Sequence, residues 1–583
     1  ASRDSHRLGH LLLQHVLQGP FSGVVYPVNP SAHAILGVRA YTRVKAVPDQ
    51  VDLAVVVVPR DLVLGVINDL IEARVKAVLV TSAGFSDQDD EGTRLEKGIA
   101  QMLQHEGIRL IGPNSLGIIN TDDKLSMNAS FSPNLPQRGT VAIASQTGAL
   151  GIAILDYASR MGVGVSSFVS TGNKADVSSN DLLQYWEDDM GTHMILLYLE
   201  SFGNPRKFTR IARRITQHKP ILVVKSARSS DAVLAPEALP QHYEDDTIVK
   251  ALFQQTGIIR ADTLQELFDV AALLTSMPLP NGKRVQVIAN ASGAAVITVD
   301  SLKADGMRLA HPPVDLGFTA LAPRYYEEVN KALEDPEVDA IIVLFIPVGI
   351  SEKTGVSEAL LQAVRESGLV KPIVANFLAT GPNPIDYIQG ESFCIPIYPF
   401  PELAVRALVQ VSRYASYCRQ PLGHLPDLHK VNTGEARRLV HSWQTPENLL
   451  IGEDRVLPLL REVGIVPESH EDHQDISLTI GIYCRTDSLF GPVITADSPN
   501  HDSYSRLIPL TDRDAAALTR DVLKSGNYPD SVAEALTDLL LRISRLIDDV
   551  PEIMDLTMHQ VGFGDQGCII FDASSVIEAR ASQ

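Results

Sequence analysis

Apolar, largely β-branched runs separated by helical periodicity constrain this chain more than any other feature of its sequence. Val51 to Val58 ends at Pro59 and is followed by an amphipathic pattern from about Leu62 to Ala73. Ala77 to Thr81 and Arg109 to Ile111 continue the series, and Val24 to Val28 reads as an earlier strand. Strands that are apolar on both faces must be covered on both faces, as in a parallel sheet flanked by helices. The spacing therefore predicts a doubly wound α/β domain whose ligand sits at the carboxyl ends of its strands. Ala1 to Asp4 lead directly into a helical pattern, so the chain reads as beginning inside a domain, after a lost first strand.

The same alternation recurs. A second unit starts near Asn128, with strands at Thr140–Ala144, Met194–Leu199 and Ile221–Lys225 and a helix over Gly148–Arg160. After a Pro/Gly-rich break at 277–282, a third unit carries strands at Val285–Ala289, Ala340–Phe345 and Ile373–Phe377. Its opening, Ile288 to Ala294, parallels Ile143 to Ala149, so two similar subdomains are expected. The last stretch, from about Asn432 to Gln583, is less regular and rich in Asp and His. The expected boundaries are 1–127, 128–277, 281–425 and 432–583, since 583 residues exceed one hydrophobic core.

Charge and cysteine use narrow the function. A formal net charge of -20 argues against nucleic-acid or anionic-membrane partners, which demand a basic face. Cys394, Cys418, Cys484 and Cys568 include no CxxC pair and read as reduced cytosolic thiols. The apolar runs are strand-length, far short of a membrane span. With no signal peptide visible, the expected location is cytoplasmic.

Three strand ends carry candidate chemistry. Gly112-Pro113-Asn114-Ser115-Leu116-Gly117 follows a strand, and its tight turn lets backbone N–H groups approach a ligand. Ser145-Gln146-Thr147-Gly148-Ala149 joins a strand to a helix start whose amides favour an anion. Glu200 ends the strand Ile195–Leu199, where a carboxylate can orient a cation. From the residues alone each also has a plain alternative: an ordinary loop, an N-cap by Ser145 or Thr147, and a solvated strand-end acid.

Taken in order, Tyr26-Pro27-Val28-Asn29-Pro30, Leu36-Gly37-Val38, Ser82-Ala83-Gly84-Phe85, the Gly112 turn, Asn128-Ala129-Ser130-Phe131, the Ser145 turn, Ser170-Thr171-Gly172-Asn173 and Leu199-Glu200 resemble the NDP-forming acyl-CoA synthetases. The resemblance covers most of residues 1–425, and the same body occurs in bacterial protein lysine acetyltransferases. It implies a Rossmann-like CoA-binding domain, two flavodoxin-like ligase domains and a partial ATP-grasp domain. Family chemistry passes a phosphoryl group between acyl phosphate, a histidine and ADP, and coenzyme A takes the acyl group. By that resemblance Ser2, Arg3 and Pro59 border the CoA, and Gly112, Pro113 and Asn114 line its thioester end. Ser145, Thr147 and Gly148 form the phosphate-facing helix start, and Glu200 holds the phosphohistidine imidazole. Members commonly assemble as homo-oligomers.

The pattern also breaks. After Lys225-Ser226-Ala227-Arg228-Ser229-Ser230 there is no His-Thr-Gly; the expected position holds Ala238, and the histidine nearby is His242, flanked by Glu244, Asp245 and Asp246. The lysine-bearing ATP-grasp segment expected between Pro467 and Ile476 is missing. Asp572 is retained as a candidate Mg²⁺ ligand, but Thr557-Met558-His559-Gln560 stands where the family has a metal-binding Asp. The leading expectation is an acetyl-CoA-binding, ligase-like regulatory body working with an acetyltransferase domain or a protein substrate. The alternative is an active ADP-forming acyl-CoA synthetase using ATP, ADP and Mg²⁺ through a phosphohistidine, with loop segments not contained in these residues.

Overall fold

In the computed structural model the apolar runs form parallel strands. The structure describes residues 1–226, 245–347, 353–368, 370–378, 386–390, 393–465, 476–564 and 567–579. Helix α1 (Leu8–Gln18) turns Leu12, Leu13 and Val16 inward, and β1 (Ala34–Ile35) and β2 (Val38–Arg39) form a short hairpin. Strands β3 (Leu53–Val56), β4 (Ala77–Val80) and β5 (Arg109–Ile111) then pair in parallel. Helix α2 (Arg60–Glu72) follows β3, and α3 (Asp90–His105) follows β4. Val63, Ile67 and Leu70 of α2 and Ile99 and Leu103 of α3 pack with Val78, Val80 and Leu110. Burying each such side chain stabilises the fold by about 1.5–3 kcal/mol.

The expected strand over Val24–Val28 is a correction. Only Val28 makes a bridge, to Tyr41. Pro27 has no N–H to give, and it contributes only its carbonyl, to the Tyr41 N–H at 2.9 Å.

A second sheet begins with the antiparallel pair β6 (Gly117–Asn120) and β7 (Met127–Ser130). It continues through β8 (Arg138–Ser145), β9 (Val165–Ser170), β10 (Met194–Leu199), β11 (Ile221–Lys225) and β12 (Ile259–Ala261). The strand order is β12-β11-β10-β8-β9-β6-β7, with β12 through β9 parallel. Helices α4 (Gly148–Arg160), α5 (Ser179–Asp188), α6 (Pro205–Ile215), α7 (Asp246–Thr256) and α8 (Leu264–Ser276) lie along this part of the chain.

The third sheet repeats the plan. It contains β13 (Arg284–Ala289), β14 (Arg308–Leu309), β15 (Val314–Asp315), β16 (Ala340–Phe345), β17 (Ile373–Phe377), β18 (Asp386–Gln389) and β19 (Cys394–Tyr398). Their order is β14-β13-β16-β17-β19-β18, with β15 also beside β13 and β18 antiparallel to β19. Its helices are α9 (Ser292–Ala304), α10 (Ala322–Glu334), α11 (Lys353–Ser367) and α12 (Pro401–Arg419). As the parallel openings implied, β8 turns into α4 and β13 into α9. Leu267 and Phe268 of α8 join Leu408 and Val411 of α12 in one core shared by the two repeats.

The chain divides into two compact units. Ala1–Gly203, Arg214–His242 and Gly257–Arg419 make the first; Asn204–Arg213, Tyr243–Thr256 and Gln420–Gln583 make the second. In the second, β20 (Leu449–Ile451), β21 (Leu478–Asp487), β22 (Gly491–Asp497), β23 (Ser503–Leu507), β24 (Ile553–Gly564) and β25 (Gly567–Ile577) form an antiparallel sheet in the order β20-β25-β24-β21-β22-β23. Helices α13 (Thr433–Trp443), α14 (Glu453–Glu462), α15 (Asp512–Leu523) and α16 (Asp530–Asp549) belong to it. Leu536, Leu540, Ile543 and Ile547 make the buried stripe of α16 and join Ile482, Met558 and Ile570 in the core. Gln255 finishes the edge at β23: its Nε2 donates to the Leu507 carbonyl at 3.1 Å and its Oε1 accepts from the Leu507 N–H at 2.7 Å. A side chain thus satisfies backbone groups that an open edge would expose. This part of the chain is more regular than its sequence suggested. Among the described residues no helix is long and apolar enough to cross a membrane.

Candidate functional site

The carboxyl ends of β3, β4 and β5 open onto three connections, and the last is the most tightly built. Gly112 has φ 98°, and a Cβ there would lie 2.3 Å from the Val80 carbonyl oxygen. No side chain fits so close an approach, so the turn requires glycine at this position. The Gly112–Pro113 bond is cis, and Asn114 has φ 59°, a left-handed conformation that Asn tolerates. The Asn114 N–H donates to the Ser82 carbonyl at 2.9 Å, which ties the turn to the end of β4. Pro59 stands at the N-cap of α2.

The loop after β9 is laced to that turn. The N–H groups of Asn173, Ala175 and Val177 donate to the carbonyls of Pro113, Gly112 and Leu110 at 2.9, 3.2 and 3.0 Å. Gly172, with φ 56°, passes so near that a Cβ would meet the Pro113 carbonyl oxygen at 2.1 Å. The Asn173 amide donates to Asp87 and Glu96 of the first sheet's layer. Asp176 accepts from Arg109 and from the Leu110 N–H. Burial pushes the Asp87 carboxyl up, but hydrogen bonds from Asn173 and the Gly84 and Phe85 N–H groups outweigh it and hold the group below its ordinary value.

Four residues beyond Gly112 the same turn reaches the second sheet. Leu116 packs on the start of α4 so closely that a Cβ on Gly148 would lie 2.4 Å from its Cγ. Thr147 occupies the N-cap position with φ -88° and ψ 122°, yet its hydroxyl does not cap the helix. It donates instead to the Glu200 carboxylate. Ser145, fully buried, donates its hydroxyl to the Thr147 carbonyl at 2.7 Å. The first-turn amides of α4 thus have no side-chain cap from Thr147, and beside them lies a half-buried carboxylate. Such an end suits an anion, while a carboxylate suits a cation or an imidazole N–H.

The structure brings Gly112, Pro113 and Asn114 together with Ser145, Thr147, Gly148 and Glu200 through Leu116 and the loop after β9. Ser2 stands just before α1. Its hydroxyl accepts from the Asp4 N–H at 3.1 Å, and the neighbouring Ala1 amine donates to the Val28 carbonyl. Arg3 is exposed. His242 and Ala238 lie outside the described residues, as does the 466–475 segment. Asp572 is exposed on β25, opposite Gln560. Among the described residues no group of three or more His, Cys, Asp or Glu is placed to hold a metal ion. Reading the sequence alone left Lys174, Ser201 and Lys225 without a role, although all three lie around Glu200. The available signal was Lys225, a charge ending an otherwise apolar strand at the sheet's carboxyl edge.

Known proteins resemble this chain in sequence and fold. The family described as a CoA binding domain matches residues 1–121, and that described as a succinyl-CoA ligase like flavodoxin domain matches residues 138–274. The chain is 32% identical to the acetate–CoA ligase (ADP-forming) I subunit alpha of Pyrococcus furiosus, over 72% of this chain and 95% of that protein. It is 27% identical to acetate–CoA ligase (ADP-forming) I of Archaeoglobus fulgidus, over 99% of this chain and 97% of that one. That alignment runs over 689 positions against 583 residues here, so the relative carries segments that this chain does not. Among solved structures, the dinucleotide forming acetyl-coenzyme A synthetase 1 of Ca. Korarchaeum cryptofilum, in complex with phosphate and ADP, superposes with a TM-score of 0.66. Its identity is 32%, covering 72% of this chain and 94% of that one.

Proposed function

Because the chain belongs to the NDP-forming acyl-CoA synthetase family, we propose that it binds coenzyme A at the mouth of the first sheet and acts as an ADP-forming acyl-CoA ligase. The reaction joins a carboxylic acid to CoA as ATP becomes ADP and phosphate. The observation that carries this reading is the Thr147–Glu200 pair at the start of α4, joined to the Gly112 turn through Leu116. It sets an anion-favouring helix end and an orienting carboxylate next to the glycine turn.

In this reading Ser2, Arg3 and Pro59 border the CoA, and Gly112, Pro113 and Asn114 line its thioester end. A side chain at Gly112 would collide with Val80, so this turn keeps its path only with glycine there. Bound CoA supplies the thiol that takes the acyl group. Ser145, Thr147 and Gly148 form the start of the helix that faces a phosphoryl group, and Glu200 orients the imidazole of a phosphoryl-carrying histidine, for which His242 is the candidate. Residues 432–583 are read as a partial ATP-grasp domain, with Asp572 its retained acid. The domain limits 1–127, 128–277, 281–425 and 432–583 are proposed with them. The Pyrococcus and Korarchaeum relatives, named as acetate ligase and acetyl-CoA synthetase, support an acyl group as small as acetyl.

A second reading is an acyl-CoA-binding body that regulates a partner and transfers no phosphoryl group. The observation favouring it is the sequence after Arg228, which has Ala238 in place of the family histidine. One experiment separates the two. The full chain is incubated with acetyl-CoA, labelled phosphate and ADP. The ligase reading expects free thiol and labelled ATP together, with acid-labile label on the chain that is lost in Glu200→Gln and His242→Ala. Acetyl-CoA binding without thiol, ATP or label supports the regulatory body and refutes the ligase.

A further inference from the structure

The backbone of Glu200 and Ser201 is gripped from three directions. Gln146 Oε1 accepts from the Glu200 N–H at 2.7 Å and from the Ser201 N–H at 3.0 Å, and its Nε2 donates to the Ser201 carbonyl at 2.6 Å. The Lys174 ammonium donates to the Ser201 carbonyl at 3.1 Å and to the Ser201 hydroxyl at 2.7 Å. The Lys225 ammonium donates to the carbonyls of Glu200 and Ser226, each at 2.7 Å. The three side chains leave the start of α4, the loop after β9 and the end of β11, three separate connections at one sheet edge.

Each arrangement is costly to build for shape alone. Lys225 is 3% exposed, and a buried ammonium forfeits its hydration unless its donors are satisfied. Lys174 has φ 60°, a left-handed conformation uncommon outside glycine. Gln146 is 7% exposed and spends both ends of its amide on two consecutive residues. A loop that only had to close could satisfy these backbone groups with water. What leaves the gripped backbone is the Glu200 side chain, whose carboxylate accepts from Thr147.

We infer that Gln146, Lys174 and Lys225 are positioning residues: they fix the Glu200–Ser201 backbone so that the Glu200 carboxylate stays at the start of α4. The role assigned to Glu200 rests on the function proposed above. A strand-end loop free to rotate would carry the carboxylate away from Thr147, and displacement of an orienting group by about 1 Å costs on the order of a hundredfold in rate.

The test uses the full chain with Gln146→Leu, Lys174→Met and Lys174→Arg. Three quantities are read: amide hydrogen exchange at residues 199–202, inorganic phosphate affinity, and kcat with KM for acetyl-CoA in thiol release. Gln146→Leu should speed exchange at Glu200 and Ser201 and weaken phosphate binding. It should lower kcat about tenfold or more while KM for acetyl-CoA stays within about twofold. Lys174→Arg should keep most of what Lys174→Met loses. Should Gln146→Leu fail to fold, the Lys174 pair carries the same comparison. Unchanged exchange at 199–202, or faster exchange with kcat and phosphate affinity intact, overturns the assignment. If the unaltered chain releases no thiol, the ligase reading falls by itself. Exchange and phosphate affinity then decide the positioning role: both altered supports it, and either one unchanged overturns it.

Discussion

Asn173 donates its side-chain amide to the Glu96 carboxylate at 2.8 Å, and this bond joins the loop after β9 to helix α3 of the first layer. The same nitrogen donates to Asp87 at 2.9 Å, and the Asn173 carbonyl oxygen accepts from Asn114. One side chain therefore holds two acids and the turn expected to meet the CoA thioester. Asn173→Ala leaves Glu96, 8% exposed, with Ser86 alone. The expected loss is about 1–3 kcal/mol in a denaturant titration, with weaker CoA binding. Unchanged CoA affinity would separate this loop from the ligand turn.

Acid should expose the same bond. The Asp87 carboxyl is held below its ordinary value despite burial, because Asn173, Gly84 and Phe85 donate to it. Its contribution is present above the ordinary carboxylate range and is lost as pH falls through the lowered folded value. Asn173→Ala removes one of those donors, so the difference between it and the unaltered chain should shrink as pH falls below about 4. Denaturant midpoints across pH 3–7 measure this directly.

Space alone predicts the next result. A Cβ at Gly172 would sit 2.1 Å from the Pro113 carbonyl oxygen at φ 56°, whereas one at Gly293 would meet nothing within 4 Å. Gly172→Ala should cost on the order of 1–3 kcal/mol and displace the Gly112 turn, which calorimetry with CoA would register. Gly293→Ala should be near neutral.

Asp269, on α8, is 2% exposed, and burial raises its carboxyl to about 7. Gln265 donates to it at 2.8 Å, Arg406 opposes the rise and Glu266 adds to it; Tyr157, Tyr387 and Tyr398 also feel its charge. As pH climbs from about 4 to 7 the unfolded chain releases this proton while the folded chain retains it, so stability falls across that window. Asp269→Asn should be more stable than the unaltered chain at pH 8, by on the order of a few kcal/mol, with the gain vanishing near pH 4. Thermal melts at the two pH values check it.

At the start of α4, Thr147→Val removes the donor to Glu200 without emptying the space. It should lower thiol release about tenfold and leave CoA affinity intact, because the bond removed is to Glu200 and not to the Gly112 turn. A parallel loss of CoA affinity would place Thr147 in the CoA site instead.

The sheets were legible because apolar runs such as Leu53–Val56 and Ile341–Leu344 have no polar face to offer water. Helix α2 came within two residues of its expected start, since Pro59 stands at its N-cap. Val24–Val28 misled because β-propensity says nothing about partners, and Pro27 denies the segment a ladder. The terminal sheet was hidden because β20 pairs with β25, more than a hundred residues away, and no local pattern marks such a pairing. In the site, the turns at Gly112 and Ser145 stood out through glycine and order along the chain. The grip of Gln146, Lys174 and Lys225 on Glu200 and Ser201 did not, because it arises only when three loops meet in space.

The central claim is that the mouth of the first sheet receives coenzyme A, and calorimetric titration of the full chain with CoA tests it most directly. Saturable binding of one CoA per chain, abolished or strongly weakened in Gly112→Val, is the predicted result. No heat at millimolar CoA, or equal affinity in the Gly112→Val chain, would contradict it.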